Sequence, residues 1–198
     1  MRRVIDPDGF EALFQAEPDP WDYAASSFER QKRKVLLAGC GLRCRGRVLE
    51  LACANGETSA ALSPLALRLL AQDASPTALR HAEARNAQSR RIRFVPGILP
   101  RDMPRGPFDL IVASEILYYL PPRDLAACLA GIERALAPGG RLVMLHHVLD
   151  FADAATRPAL AVRLAERVAG RRLVPALRRR TGRYAMAAFD KASGGPRS

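Results

Sequence analysis

The stretch VLELACANGETS, residues 48–59, ends an apolar run on an acid, Glu50, and then sets small residues at alternate positions: Ala52, Ala54 and Gly56. Small side chains at that spacing let backbone approach a ligand closely, and a strand feeding a tight turn and a helix is where many α/β proteins hold one. The position of the third glycine in a dinucleotide loop is taken here by Glu57. A carboxylate there crowds the packing of helix on strand and repels a diphosphate. The pattern fits instead the acid-x-Gly-x-Gly-x-Gly loop used for S-adenosylmethionine, a ligand without phosphate that needs no anion nest. Asp73 ends the next apolar run, RLLAQD. A carboxylate at that strand end can accept hydrogen bonds from both ribose hydroxyls.

Two further strings carry chemistry. FDLIVASEILYYL places Ser114 and Glu115 where open α/β sheets put their sites, with Tyr118 and Tyr119 beyond them to line an acceptor pocket or pack. RLVMLHH ends on His146 and His147, which should point to opposite faces because strand side chains alternate. One histidine near the acceptor is expected; no further ligands stand close enough for a metal site. The Asn/Asp-Pro-Pro-Tyr signature of DNA adenine methylation and the Pro-Cys nucleophile of cytosine C5 methylation are both missing.

The elements that must position these groups follow from rhythm. Short apolar runs at residues 47–52, 68–73, 92–96, 108–114 and 141–147 read as strands. Amphipathic stretches at 56–66, 76–88 and 122–137 read as helices between them. Ser75 with Pro76 marks a helix start, as does Ser26 with Glu29 at capping-box spacing. Alternating strands and helices predict an α/β fold with a mostly parallel sheet covered on both faces. A helix at 154–169 and two strands joined at TGR predict an antiparallel hairpin at one edge, and SGGPRS reads as a frayed tail. Ahead of the core, helices at 8–16 and 26–38 flank the Pro-broken EPDPWDYA, with Phe10, Leu13 and Phe14 on one side of the first.

Composition bounds the rest. A chain of 198 residues with 48% apolar content fits one domain with a real core. No run approaches the ~18 apolar residues of a membrane span, and MRRVIDPDGF lacks a signal peptide's apolar region, so a soluble, cytoplasmic protein is expected. The four cysteines lack zinc-site spacing and read as reduced, buried thiols. The net charge of +11 concentrates in residues 157–183, with nine arginines against Glu166. With no aromatic residues interleaved as stacking platforms, this reads as a solvated basic face or one that attracts an anionic partner, not as specific nucleic-acid readout. A basic nucleic-acid-binding domain, or RNA methylation, is the alternative.

VLELACANG, AQDASPTAL, FDLIVASEILYYL and LAPGGRLVM occur in order over residues 47–147. Together they resemble the class I methyltransferases, and DPWDYAASSFERQKRKVLL with SEILYYL is similar to their nodulation protein S branch. The resemblance implies a Rossmann-like domain of seven strands. Residues 1–46 would form a helical cap or flap, 47–147 the cofactor core and 148–192 a closing helix and hairpin, with a tail at 193–198. It further implies S-adenosylmethionine as cofactor, with Glu50, Ala52, Ala54 and Gly56 as the methionine-side loop, Asp73 on the ribose and Ala74 beside the adenine. Trp21 would sit in the flap over the cofactor. The acid that ends the third strand in the family is replaced by Gly97 and Ile98, so backbone and packing by Ile98 or Leu99 must hold the adenine. That branch N-methylates an amino sugar on a chitooligosaccharide, which makes a small-molecule or oligosaccharide amine the expected acceptor, other N or O acceptors being the alternative. Glu115, His146, Tyr118 and Tyr119 are the catalytic candidates.

Overall fold

The structure, a computed structural model, describes residues 4–193. Seven strands, β1 (Arg45–Leu51), β2 (Ala66–Asp73), β3 (Ile92–Pro96), β4 (Phe108–Ser114), β5 (Leu136–His147), β6 (Val174–Arg180) and β7 (Tyr184–Asp190), form one sheet in the order β3-β2-β1-β4-β5-β7-β6. The first five are parallel, and β7 runs antiparallel between β5 and β6. Six helices accompany them: α1 (Pro7–Ala16), α2 (Ser27–Cys40), α3 (Glu57–Leu62), α4 (Pro76–Arg85), α5 (Pro122–Ala135) and α6 (Pro158–Ala169). The expected α/β class, parallel core and edge hairpin are all present. From residue 194 on, the expected tail lies outside the described residues.

Alternation within each strand separates two cores. Val48, Leu110, Val112, Val143 and Leu145 face α2 through Val35 and Leu36. Leu49, Leu51, Ile111, Leu142 and Met144 face α5 and α6 through Ile132, Leu129 and Ala165. Burial on both faces is why these runs are continuously apolar.

Local chemistry sets the helix starts. Ser75 Oγ accepts from the Ala78 N–H at 2.9 Å with Pro76 in the first turn, as expected. Ser26 accepts from the Glu29 N–H at 3.3 Å. The reciprocal half of that capping box is not formed: Glu29 turns to Lys32 Nζ at 2.9 Å, and Asp22 O receives the Ser26 N–H. α3 is shorter than expected, because Ser63-Pro64 turns the chain into a 3-10 segment. β5 starts earlier than expected, because Leu136 already pairs with Phe108 of β4; residues 137–140 then bulge out before Arg141 pairs with Leu110, with Gly139 left-handed at φ +72°. Leu13 is exposed while Phe14 is buried, so α1 buries a narrower face than its sequence suggested. Cys40, Cys53 and Cys128 are free and buried; Cys44 is exposed, against expectation.

The hairpin leaves β6 as an edge with all seven residues exposed. Pro175, a register shift between Pro175 and Leu177, and Arg178, Arg179 and Arg180 lie along it. Proline, irregularity and like charge are what keep an open edge from recruiting another strand. Part of the arginine run therefore has a structural reason.

Candidate active site

The strand order reverses direction between β1 and β4, where Leu51 pairs with Ala113. Crevices at such switch points, beyond the carboxyl ends of the strands, are where open α/β sheets bind ligands. A cavity of about 350 Å³ opens there, walled by Ala52, Ala54, Asp73, Ala74, Ile98 and Ser114 among others. A small polar recess adjoins it behind the β1 turn and is walled by Glu50, Asn55 and Arg33. Ala52, Ala54, Ser114, Glu115 and Tyr23 line both spaces and so join them.

The turn after β1 is left-handed at three positions: φ is +55° at Ala52, +49° at Ala54 and +79° at Gly56. These are the positions of the loop glycines, so the backbone keeps the glycine conformation even where alanine occupies it. Gly56 must stay bare for a second reason. A Cβ there would lie 2.7 Å from Asn86 Nδ2 and 2.9 Å from Ala82 Cα on α4.

Two buried carboxylates flank the turn. Asp73 accepts from the Ala54 N–H at 2.8 Å and the Ser75 N–H at 2.9 Å, one bond to each oxygen. Burial raises its pKa, opposed by those backbone donors. Glu50 is 2% exposed and accepts from Ser59 Oγ at 2.5 Å. Burial pushes its carboxyl up to about 8, with Ser59 pulling it down and the Asp73 charge pushing it further up. Beside it, Asn55 Oδ1 is a buried acceptor without a partner in the structure, as is Gln72 Oε1 on the β2 side.

Glu115, at φ +55°, is the hub of the opposite wall. Its Oε2 accepts from Tyr118 Oη at 2.7 Å and from the His147 N–H at 2.8 Å, and its Oε1 pairs with Lys32. Burial disfavours its charge, but the Lys32 ammonium and these bonds outweigh that and hold the carboxyl below its usual range. Lys32 is itself buried; despite that burial, Glu115 and Glu29 raise its pKa.

α1 and the chain that follows it cover the cavity. Phe10, Phe14 and Trp21 line it, with Trp21 packed 5.5 Å from Phe14 and 5.7 Å from Tyr23 by ring centroids. Phe10 meets Tyr119 edge-on at 4.8 Å. Trp21 thus lines the cavity from the segment that covers it. Glu11 fixes that cover by accepting from Ser75 Oγ at 2.6 Å, the Thr77 N–H at 3.1 Å and Thr77 Oγ1.

The structure brings Glu50, Ala52, Ala54, Asp73, Ala74, Ile98, Ser114, Glu115, Tyr119 and Trp21 to the two connected spaces, with Gly56 supporting the turn. Tyr118 and His146 do not line them. Tyr118 is buried behind Glu115, and His146 faces α6, where its Nε2 accepts the Leu117 N–H at 3.2 Å. Burial lowers the His146 pKa to about 4, so the ring is neutral near pH 7. Strand alternation indicated that the two histidines face apart; it could not say which one a helix covers. Sequence reasoning missed Lys32, Arg33, Asn55, Gln72 and Glu11. The charged spacing in FERQKRK was the one local signal for the first two.

Tested against S-adenosylmethionine, the donor set fits. Two buried carboxyls, Asp73 and Glu50, and two orphaned amide oxygens, Asn55 Oδ1 and Gln72 Oε1, would complement a ligand rich in N–H and O–H groups. The strand order and the switch-point site together have the architecture of a class I methyltransferase domain. Residues 48–140 match the family model described as a methyltransferase domain. Nodulation protein S of Rhizobium tropici is 32% identical over 130 residues, covering 65% of this chain and 55% of that protein. Nodulation protein S of Sinorhizobium fredii is 31% identical, covering 65% and 60%. The chain thus spans less than two thirds of the length of these relatives. The crystal structure of N-methyltransferase NodS from Bradyrhizobium japonicum WM9 with S-adenosyl-L-homocysteine superposes with a TM-score of 0.79 at 25% identity, over 93% of this chain and 97% of that one. A putative methyltransferase of Pseudomonas syringae gives 0.71 at 28% identity, over 84% and 100%. The chain is thus similar to nodulation protein S and shares the Rossmann-like fold of the solved methyltransferases.

Proposed function

We propose that this protein transfers the methyl group of S-adenosylmethionine to an amine on a small acceptor, the free amino group of a glucosamine-type sugar or chitooligosaccharide being the leading candidate. One observation carries the amine: in a chain of net charge +11, the mouth and wall of the cavity carry Asp6, Asp124, Asp73 and Glu115. An acidic mouth attracts a cationic acceptor and disfavours an anionic one. Aromatic rings at Phe10, Trp21 and Tyr119 suit the faces of a sugar.

The cofactor supplies an electrophilic methyl on a sulfonium. Glu50, Asn55 and Arg33 would hold its amino-acid end, with Ala52, Ala54 and Gly56 shaping the turn. Asp73 would hold the ribose; Ala74 and Ile98 would pack the adenine, Ser114 would border the join between the two spaces, and Trp21 would cover it. Alignment is the main catalytic task, and near-attack geometry can supply ~7–11 kcal/mol. Glu115 is the acceptor-side carboxylate. Clamped by Lys32, Tyr118 and the His147 N–H, it orients an ammonium or hydroxyl and is a weak base, so a bound ammonium must lose its proton to solvent before attack. Tyr118 and His146 support this wall, through Glu115 and through the turn at Leu117. The rate should then rise with pH as the acceptor amine deprotonates.

The test is to incubate the full chain with methyl-labelled cofactor and with deacetylated or fully acetylated chitooligosaccharides. Label in the deacetylated sugar supports the reading. Label only in the acetylated sugar, or only in an unrelated phenol, overturns the amine and leaves methyl transfer standing.

A further inference from the structure

Gln72 is the penultimate residue of β2, 2% exposed, beside Asp73. One bond orients its amide: Nε2 donates to the Asp102 carbonyl oxygen at 2.8 Å. An amide that gives its NH₂ to a carbonyl turns its oxygen elsewhere, which settles the assignment of the two atoms. That oxygen, Oε1, is buried and meets no donor in the structure. Gln72 lies on the cavity wall with Asp73, Gly97 and Ile98. The bare backbone at Gly97 is what admits it, since a Cβ there would come within 1.8 Å of Gln72 Nε2. The amide of residue 72 therefore fills the space that a side chain at the end of β3 would occupy. Ile98, next along, offers no side-chain acceptor, and its N–H is already given to Asp102 Oδ2 at 2.9 Å.

We propose that Gln72 reads the nucleoside base: its carbonyl oxygen accepts from the exocyclic amino group of adenine, in place of an acid at the end of β3. The assignment rests on the S-adenosylmethionine reading above. A buried amide oxygen left without a donor is costly, whereas one matched by a ligand N–H discriminates strongly against a ligand that lacks it. Gln72 is thus a specificity residue for the cofactor.

The test is calorimetric titration of the full chain with S-adenosylhomocysteine and with S-inosylhomocysteine, in which a 6-oxo group replaces the 6-amino group. The unaltered chain should bind the amino ligand at least about tenfold tighter. In Gln72→Met, which keeps length and removes the acceptor, that ratio should fall to within about threefold. A structural role alone would weaken both ligands together and leave the ratio unchanged. Should the Met variant not fold, Gln72→Asn, which withdraws the same amide by one methylene, must narrow the ratio likewise. Equal binding of the two ligands by the unaltered chain, or an undiminished ratio in the variant, overturns the assignment. Failure to bind either ligand removes the cofactor reading, and the Gln72 assignment with it.

Discussion

Glu50 and Asp73 lie at the carboxyl ends of neighbouring parallel strands, penultimate and last, and both are buried, but they are satisfied differently. Asp73 has two backbone donors; Glu50 has one serine hydroxyl and a carboxyl pushed up to about 8 by burial. At neutral pH the free protein therefore holds Glu50 protonated. An ammonium arriving in the recess would depress that pKa, so binding of S-adenosylhomocysteine near pH 7 should release close to one proton. Calorimetry in buffers of different ionisation enthalpy reads this directly, and Glu50→Gln should abolish it; no release from the unaltered chain would mean that the ammonium binds elsewhere. The same shift has a stability consequence. A carboxyl raised from 4.5 to about 8 contributes fully below the lower value and loses its contribution as pH climbs through the upper one. Glu50→Gln should flatten that decline. The alanines of the turn make a separate case. Left-handed backbone costs an L-residue about 1–2 kcal/mol, partly offset by the ~0.4–1 kcal/mol of unfolded-state entropy that glycine adds. Ala54→Gly, at φ +49°, should raise urea-unfolding stability by up to about 1 kcal/mol. A loss of that size would show that the left-handed conformation is not occupied.

α1 is held over the cavity chiefly through Glu11, which caps the start of α4 from a distant part of the chain. Hydrogen bonds from Ser75 and Thr77 lower its pKa from 4.5 to about 2. The latch is therefore fully engaged above about pH 4.5 and is lost only as pH falls through about 2. It also adjoins Asp73, because the Ser75 N–H bonds Asp73 while its hydroxyl bonds Glu11. Glu11→Ala should leave the sheet folded, speed protease cleavage within residues 4–24, and accelerate release of S-adenosylhomocysteine in stopped-flow. Cleavage and release at unaltered rates would mean that aromatic packing alone holds the cover. The latch also marks where sequence reading stops. Strand runs, Ser-Pro helix starts and the acid-small-small turn are local signals, and they placed nearly every element and the cofactor loop. Glu11 on Thr77, Lys32 on Glu115 and Gln72 on Asp102 join residues about 30 to 80 positions apart. No local spacing encodes such contacts; only the closed fold creates them. The start of β5 escaped for the same reason, since the pairing of Leu136 with Phe108 ahead of the PGG turn is a contact across the sheet.

Over the whole molecule, charge is sorted. Residues 1–24 carry six acids against two arginines, and their described part covers the cavity. Residues 157–183 carry nine arginines against one acid, on α6, the β6 edge and their connections. Several of these are already engaged: Arg178 with Glu166 at 3.5 Å, Arg172 with Glu133 at 3.1 Å, and Arg183 over the Phe28 ring at 3.6 Å. Exposed pairs of this kind contribute little to stability, so the segregation matters for what approaches and from which side. A cationic acceptor is drawn to the acidic mouth, and polyanions to the far edge. Raising ionic strength from about 0.01 M to 0.15 M shortens the Debye length from ~30 to ~8 Å, so KM for an amine acceptor should rise while kcat holds. Asp124→Asn at the mouth should reproduce part of that rise at low salt. Retention of an arbitrary RNA should instead weaken with a log–log slope near −0.9 per phosphate contacted. Replacing Arg178, Arg179 and Arg180 by serine should lower RNA retention without changing methyl transfer. If the triple variant lost methyl transfer together with RNA binding, the two faces would be one functional surface and a nucleic-acid acceptor would displace the small amine. Methyl transfer unaffected by the triple variant, with KM rising in salt, would place substrate entry at the acidic mouth alone.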